Sequence, residues 1–469
     1  MKVPVYLSIG ELVESIRSKK VSPVELIDAH LQRAQALHWK LNAFVHLDAQ
    51  GAREQARVQE AAVMRGDSLG SLHGVPVTVK SCIDVAGWPC PAGSALREDY
   101  IAQQDAVLVD RLKKAGAILI GNSNTPEFLM AYETNNALSG ETSNPWNVSY
   151  SAGGSSGGEA AAIASGCSAG GVGSDGGGSI RVPAHFSGIC GLKPTPGRIP
   201  ATGHFPPCGG AFAWIGAVGP VARTIADVRA LFEVMAGPDP GDPLCAPVPF
   251  RVVDDHELKG LRIGILESEA LGRPTAETQA VVLNTANHLA AQGFNVEPLP
   301  LKNLDRAIDL WWFFFGPAIA HLFRPIIAGK ENLLSPVFCD YLAFAEQKEP
   351  MTLDQFLEAC VERDALRAEI LRQMAEVPIL VSPISCGPAF RHGEGTWRPG
   401  AKHGYRDTMR FSQWLNLAGF PGASVPVGFS SEGLPIGVQV IGRPHEEELV
   451  LAVAEHIEQA RGPWQAPPL

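Results

Sequence analysis

Gly74-Val75-Pro76-Val77-Thr78-Val79-Lys80 is a short, apolar, β-branched run that ends on a lysine. β-Branched side chains suit a pleated, packed surface, and a continuous apolar run has no polar face to turn to water. The stretch therefore reads as a buried strand that delivers Lys80 at its end. Strands of this kind belong to sheets covered on both faces, and the neighbouring sequence supplies the covers. Residues 105–115 place apolar side chains at helical spacing and stop at Gly116, and 117–121 (AILIG) then read as a second strand. Residues 261–266, 378–383, 422–428 and 436–442 are further strand candidates. Ser8-Ile9-Gly10-Glu11 and Ser22-Pro23-Val24-Glu25 are capping boxes that open helices near 9–19 and 23–38. Helices are also expected at 159–165, 224–236 and 446–460. Alternating helices and short buried strands predict an α/β protein, with a mixed and mostly covered central sheet surrounded by helices. Pro and Gly concentrate at 237–250, where the chain passes between a core and a lobe. No repeat or low-complexity linker divides it, so one domain over residues 1–469 is expected.

Composition narrows the class. The chain has 469 residues, 45% hydrophobic and 19% charged, which suits a protein with a substantial core. Its 38 Lys+Arg against 49 Asp+Glu give a net charge of −11 and no cationic run, which argues against nucleic-acid or anionic-membrane partners. Nine cysteines include no C-x-x-C pair, so neither a zinc ribbon nor a thioredoxin-like motif is present, and scattered thiols fit a reducing compartment. The N-terminus is too early-charged for a signal peptide. The longest apolar stretch, residues 310–323, is interrupted by Gly316 and Pro317 and is shorter than the roughly 20 residues a bilayer needs. A cytoplasmic enzyme without membrane attachment is expected. Oligomeric state is not readable, and a homodimer is the default expectation.

Two serines set in glycine carry the chemistry. One lies in Gly153-Gly154-Ser155-Ser156-Gly157-Gly158-Glu159, the other in Gly176-Gly177-Gly178-Ser179-Ile180-Arg181. Glycine lets backbone N–H groups crowd a substrate, and a hydroxyl in that setting suits attack on a carbonyl whose oxyanion those N–H groups then hold. Residues 153–157 also fit the G-x-S-x-G elbow of histidine-dependent hydrolases, but an elbow follows a strand, and 144–152 read as loop. His185, His204, His392 and His403 would be the candidate bases for that reading. Residues 171–176 fit G-x-G-x-x-G, yet no acid stands about 20 residues on, as a dinucleotide site requires.

A third arrangement joins Lys80 to both serines. GVPVTVK at 74–80, GGSSGGEAA at 153–161, GSDGGGSIRVPA at 173–184, GICGLKPTPGRIP at 188–200 and LNLAGFPGASVPVG at 415–428 together resemble the amidase signature family. The match is densest from about 74 to 225 and weakest from about 240 to 410, the region that would shape the substrate pocket. The resemblance implies a Ser-cisSer-Lys triad without cofactor or metal. Ser179 is then the nucleophile, Ser155 the bridging cis-serine and Lys80 the base. The N–H groups of Gly176, Gly177, Gly178 and Ser179 form the oxyanion hole. A lysine can act as base only when neutral, and burial after an apolar strand favours that form.

Within the family, Glu159 and Gly203-His204-Phe205-Pro206 are similar to fatty-acid amide hydrolases and their bacterial relatives. The glutaminase component of tRNA-dependent amidotransferases is the alternative. That branch has an aspartate seven residues before the asparagine of NLAG, to hold the glutamine ammonium, and here Met409 precedes Asn416 at that spacing. The expected substrate is a small-molecule amide of moderately apolar character, with esters, anilides and carbamates within reach. Arg181 is expected to pair with Asp175, and Ser156 to be a structural hydrogen-bonder. The aromatic run 311–315 is read as core packing, with an acyl pocket as its other use. Ser81 departs from the acid common after the lysine, and Gly176 from a commonly β-branched position.

Overall fold

In the computed structural model, which describes residues 5–267, 269–346, 351–398 and 400–469, the Pro76–Lys80 strand is buried along its whole length. It pairs in parallel with Ile118–Ser123 on one side and Gly170–Asp175 on the other. These belong to an 11-stranded mixed sheet that continues through Ala217–Ala222, Cys190–Lys193, Gly422–Phe429, Pro435–Gly442, Ile379–Pro383 and Arg262–Leu266 to Asn295–Leu299, with Phe44–Leu47 at the opposite edge. One sheet thus takes strands from both ends of the described chain, and helices surround it. Both capping boxes form, opening helices Ile9–Arg17 and Pro23–Leu41. The helices expected at 105–115, 159–165, 224–236 and 446–460 are Val107–Lys114, Gly157–Ala164, Ile225–Met235 and Glu447–Arg461.

Two features depart from the sequence reading. Glycine weakens strands, yet Gly170–Asp175 is a central strand with every residue buried. The reason is a helix lying directly on it. A Cβ on Gly171 would stand 2.0 Å from Glu159 Oε2, and one on Gly173 would stand 2.8 Å from Ser156 Oγ. The second departure is the apolar stretch at 310–323, which belongs to a continuous helical run of 24 residues, Leu304–Ile327. A π-helical turn over Phe314–Ala318 accommodates Pro317 without ending the run. By length and composition this helix could cross a bilayer, but 56% of its most apolar window is buried against the protein itself.

Around it gathers an aromatic cluster that packs against the turn at Gly176 and Gly177. Trp311 and Phe315 stack at 4.7 Å between centroids, and Trp397 lies 5.1 Å from Trp312 and 5.3 Å from Tyr405.

The close approach of the Gly157–Ala164 helix to the backbone just beyond Ile118–Ser123 gives a stability test. A Cβ on Gly158 would meet Asn124 N at 2.4 Å and Asn124 O at 2.5 Å, both backbone atoms. Gly158→Ala should destabilise the protein by about 1–3 kcal/mol through forced backbone shifts, read as a lower urea midpoint with an unchanged m-value.

Candidate active site

At the end of its strand, Lys80 is completely buried. Its Nζ lies 2.7 Å from Ser155 Oγ and 3.1 Å from Ser174 Oγ. Both partners are hydroxyls, so neither neutralises an ammonium. Burial pushes the amine down to about 8, and nearby Cys82, Asp175 and Glu159 only partly oppose that effect. Glu159, one of the two buried acids near Lys80, accepts from Thr78 Oγ1 at 2.7 Å and Ser123 Oγ at 2.8 Å. Burial pushes this carboxyl up to about 7.

Ser155 follows a cis peptide bond from Gly154. Thr134 Oγ1 donates to Gly153 O at 2.9 Å, and Thr125 Oγ1 to Ser155 O at 2.8 Å, which fixes the loop on both sides of the serine. Ser179 faces the same small cavity as Ser155 and Ser174. Its Oγ has no hydrogen-bond partner among the described residues.

The loop carrying Ser179 is held by Asp175. This carboxylate accepts from Gly178 N at 2.6 Å, Ile180 N at 3.1 Å, Arg181 Nε and Nη2 at 3.0 Å each, and Asn416 Nδ2 at 3.0 Å. Burial works against its charge, but Arg181 and these donors hold it well below the usual carboxylate range. Arg181 is in turn satisfied by Asn416 Oδ1 at 2.6 Å, Gln439 Oε1 at 2.8 Å and Ser412 O at 3.0 Å. Trp311 Nε1 donates to Gly176 O at 2.8 Å and Tyr132 Oη to Gly177 O at 2.7 Å. Turning these carbonyls towards the aromatic cluster leaves the N–H groups of Gly176, Gly177 and Ser179 without protein partners among the described residues. Gly178 is different. Its N–H is engaged by Asp175, so it leaves the expected oxyanion set, and its φ of +127° explains why glycine stands there.

The aromatic run packs in the core, as one of its two readings from sequence had it, and it also reaches the catalytic loop and the small cavity. Trp311 buttresses the loop, and Phe315 lines the cavity with Leu129, Met130, His204, Cys208 and Phe212. Sequence reasoning missed Ser174, Tyr132 and Gln439. Gln439 lies 258 residues from Arg181 along the chain, so no local pattern could have paired them.

The rival readings lose their geometry. No strand leads into residues 153–157, and 171–176 lie mainly on a strand rather than in a strand-to-helix loop. His185 accepts from Gly437 N at 2.7 Å and lies 3.0 Å from Gly387 O, so both ring nitrogens are engaged. His204 contacts Pro206 O and Cys82, His392 contacts Val148 O, and His403 lies beside Glu394. None of the four is hydrogen-bonded to either serine among the described residues, although His204 lines their cavity. Two larger cavities, of about 820 and 600 Å³, hold none of Lys80, Ser155 or Ser179. Met409 lines the second of these rather than the cavity at Ser179.

A family model described as Amidase matches residues 25–451. The chain belongs to the amidase family. Its members act on carbon–nitrogen bonds, and the fold is that of amidase signature enzymes. The chain is 34% identical over 474 residues to an acylamidase of Rhodococcus erythropolis, covering 98% of this chain and 96% of that one. It is 32% identical over 480 residues to a glutamyl-tRNA(Gln) amidotransferase subunit of Carboxydothermus hydrogenoformans, covering 97% of each. Among solved structures it resembles a bacterial aryl acylamidase of the amidase signature family, with a TM-score of 0.86, 25% identity and 98% coverage of both chains.

If Lys80 is the working base, its neutral form is present above about pH 8 and lost below it. A kcat/KM profile on an uncharged amide should therefore rise about tenfold per pH unit below that point and level off above it. A plateau extending down to pH 6 would assign the base elsewhere.

Proposed function

We propose that this amidase is a serine hydrolase that cleaves the C–N bond of a small or moderately apolar amide through an acyl-enzyme on Ser179. The observation that carries the reading is a desolvated lysine amine 2.7 Å from Ser155 Oγ, beside a cavity that holds an unpartnered Ser179 hydroxyl. Neutral Lys80 takes the proton of Ser155 as Ser155 takes that of Ser179, and Ser179 Oγ bonds to the amide carbon. The carbonyl oxygen, now anionic, is held by the N–H groups of Gly176, Gly177 and Ser179, where one such donor is worth about 10²–10³ in kcat. Ser155 then passes its proton to the leaving nitrogen and recovers one from the Lys80 ammonium. The C–N bond breaks, the amine departs and Ser179 remains acylated. Water repeats the sequence in its place, releasing the acid and restoring both serines and the neutral lysine. Aryl esters, anilides and carbamates pass through the same tetrahedral species and are included.

The apolar preference rests on the lining of the cavity. Asp175 is the one carboxylate there among the described residues, and both of its oxygens are engaged by Arg181 and backbone N–H groups. A glutamine ammonium would meet no available acid, and Met409 is buried outside the cavity. The second reading, a glutaminase-type subunit of an amidotransferase that acts on tRNA, is favoured by full-length similarity to such a protein. It requires partner chains and a polar recognition site that these lining residues do not offer.

Two measurements test the assignment. Short-chain acyl p-nitroanilides should be hydrolysed by the chain alone, whereas glutamine should not be turned over. Glutaminase activity with no anilide activity would reverse the order of the two readings. Ser155→Ala should lower kcat by about 10²–10⁴-fold with KM nearly unchanged, because the relay acts only as charge moves. An unchanged kcat would remove Ser155 from the proton path.

A further inference from the structure

The cavity at Ser155 and Ser179 has a volume of about 20 Å³, room for roughly one water. No acyl or aryl group fits, so part of the wall must yield before an amide can reach Ser179. Each wall differs in how it is held. The oxyanion loop is fixed by Asp175, Trp311 and Tyr132. Phe315 sits within a helical run, stacks on Trp311 at 4.7 Å and has its carbonyl bound by Tyr341 Oη at 2.6 Å. Met130 O accepts from Trp397 Nε1 at 2.8 Å, and Phe128, two residues earlier, stacks on Phe323 at 4.9 Å.

A further wall is the segment 207–213, which carries Cys208 and Phe212 into the cavity lining. Among the described residues, none of its backbone groups bonds to a residue before 207 or after 216. The bonds at its ends, Gly209 N to Pro207 O and Gly216 N to Phe212 O, are local. Its polar link outward is a contact of 3.6 Å between Cys208 Sγ and His204 Nδ1. The flanks are anchored. Phe205 N donates to Cys82 O at 2.8 Å, and Ile215 O accepts from Asn416 Nδ2 at 2.8 Å. Between the anchors lie Gly209 and Gly210, where a Cβ would meet nothing within 4 Å, and Gly210 has φ of +56°. Pro207, Gly209 and Gly210 are exposed. Phe212 is the one large apolar side chain that the segment buries, and it pairs with no other aromatic ring among the described residues. Residues 210–213 open the helix Gly210–Ile215, which packs on Arg410–Ala418 and Phe314–Ala318 without a backbone–backbone hydrogen bond to either among the described residues. Segments without long-range backbone bonds open more readily than segments that have them.

We propose that residues 207–213 form a gate over the catalytic cavity and that Phe212 is its specificity-determining side chain. It sets the size of the apolar substrate group accepted beside Gly176. A Cβ placed on Gly176 would lie 3.6 Å from the Phe212 ring and 3.4 Å from the Phe315 ring, so the space next to the oxyanion loop is bounded by one movable and one fixed phenyl group. Lifting the gate removes the Phe212 ring and leaves Phe315 as the floor on which an apolar acyl or aryl group lies. This inference rests on the proposed reading of Ser179 as nucleophile.

The test uses the full chain and two readouts. Amide hydrogen exchange, followed by mass spectrometry, should be faster across 207–213 than across 176–181 and 311–315. Rates of Ser179 labelling by a long-chain and a short-chain alkyl fluorophosphonate should then be compared. Phe212→Ala should raise the long-to-short ratio at least about tenfold, the range that a change in pocket size produces. Phe212→Leu, the milder change, should fall between wild type and Phe212→Ala. Exchange across 207–213 as slow as across 176–181 would overturn the gate, as would a labelling ratio that both variants leave unchanged. If Ser179 takes neither probe, the reading of function fails, and exchange across 207–213 still decides the gate.

Discussion

An ammonium group buried without water must find a carboxylate or give up its proton, and among the described residues Lys80 has only hydroxyls within hydrogen-bonding distance. Of the two buried acids near it, Asp175 is paired with Arg181, and Glu159 is engaged by Thr78 and Ser123 and is itself pushed towards its neutral form by burial. Lysine and glutamate are thus near one another without forming an ion pair. Each is driven by desolvation towards the uncharged state. Five buried residues deliver Lys80 between two parallel neighbours, and a wholly buried Gly/Ala-rich helix seals the strand from above.

The opposite electrostatic choice is made a few ångströms away. Asp175 and Arg181 are also fully buried, but they are paired and surrounded by further donors and acceptors. Buried ion pairs add little net stability, so this one is better understood by what it positions. It engages the Gly178 N–H, orients the turn into Ser179 and, through Asn416 and Gln439, joins that turn to the C-terminal third of the chain. With Trp311 and Tyr132 holding two carbonyls from the other side, the N–H groups of Gly176, Gly177 and Ser179 have no competing acceptor among the described residues. A preorganised loop of this kind needs no reorganisation when charge develops on the substrate.

How much of this was legible depended on how local each cause is. The Lys80 strand, both capping boxes and the two glycine-set serines are encoded within a few residues, and the fold class followed from them. Gly170–Asp175 was not legible as a strand, because its glycines answer to Glu159 and Ser156 on a helix that crosses it. The engagement of the Gly178 N–H was missed for the same kind of reason. Only the three-dimensional path of the turn places Asp175 Oδ1 against it. The length of the 304–327 helix was hidden by Pro317, which ordinarily ends a helix and here is absorbed by a π-helical turn. Family resemblance assigned roles to Lys80, Ser155 and Ser179, whereas the substrate wall at 207–213 became visible only from its lack of outward bonds.

The central claim is a division of labour between two serines governed by one neutral lysine. Peptide mapping after reaction with a fluorophosphonate tests it most directly, in the wild-type chain and in Lys80→Met. The account predicts a single adduct on Ser179 that is nearly abolished in the variant. An adduct on Ser155 with Ser179 untouched, or undiminished labelling in Lys80→Met, would contradict it.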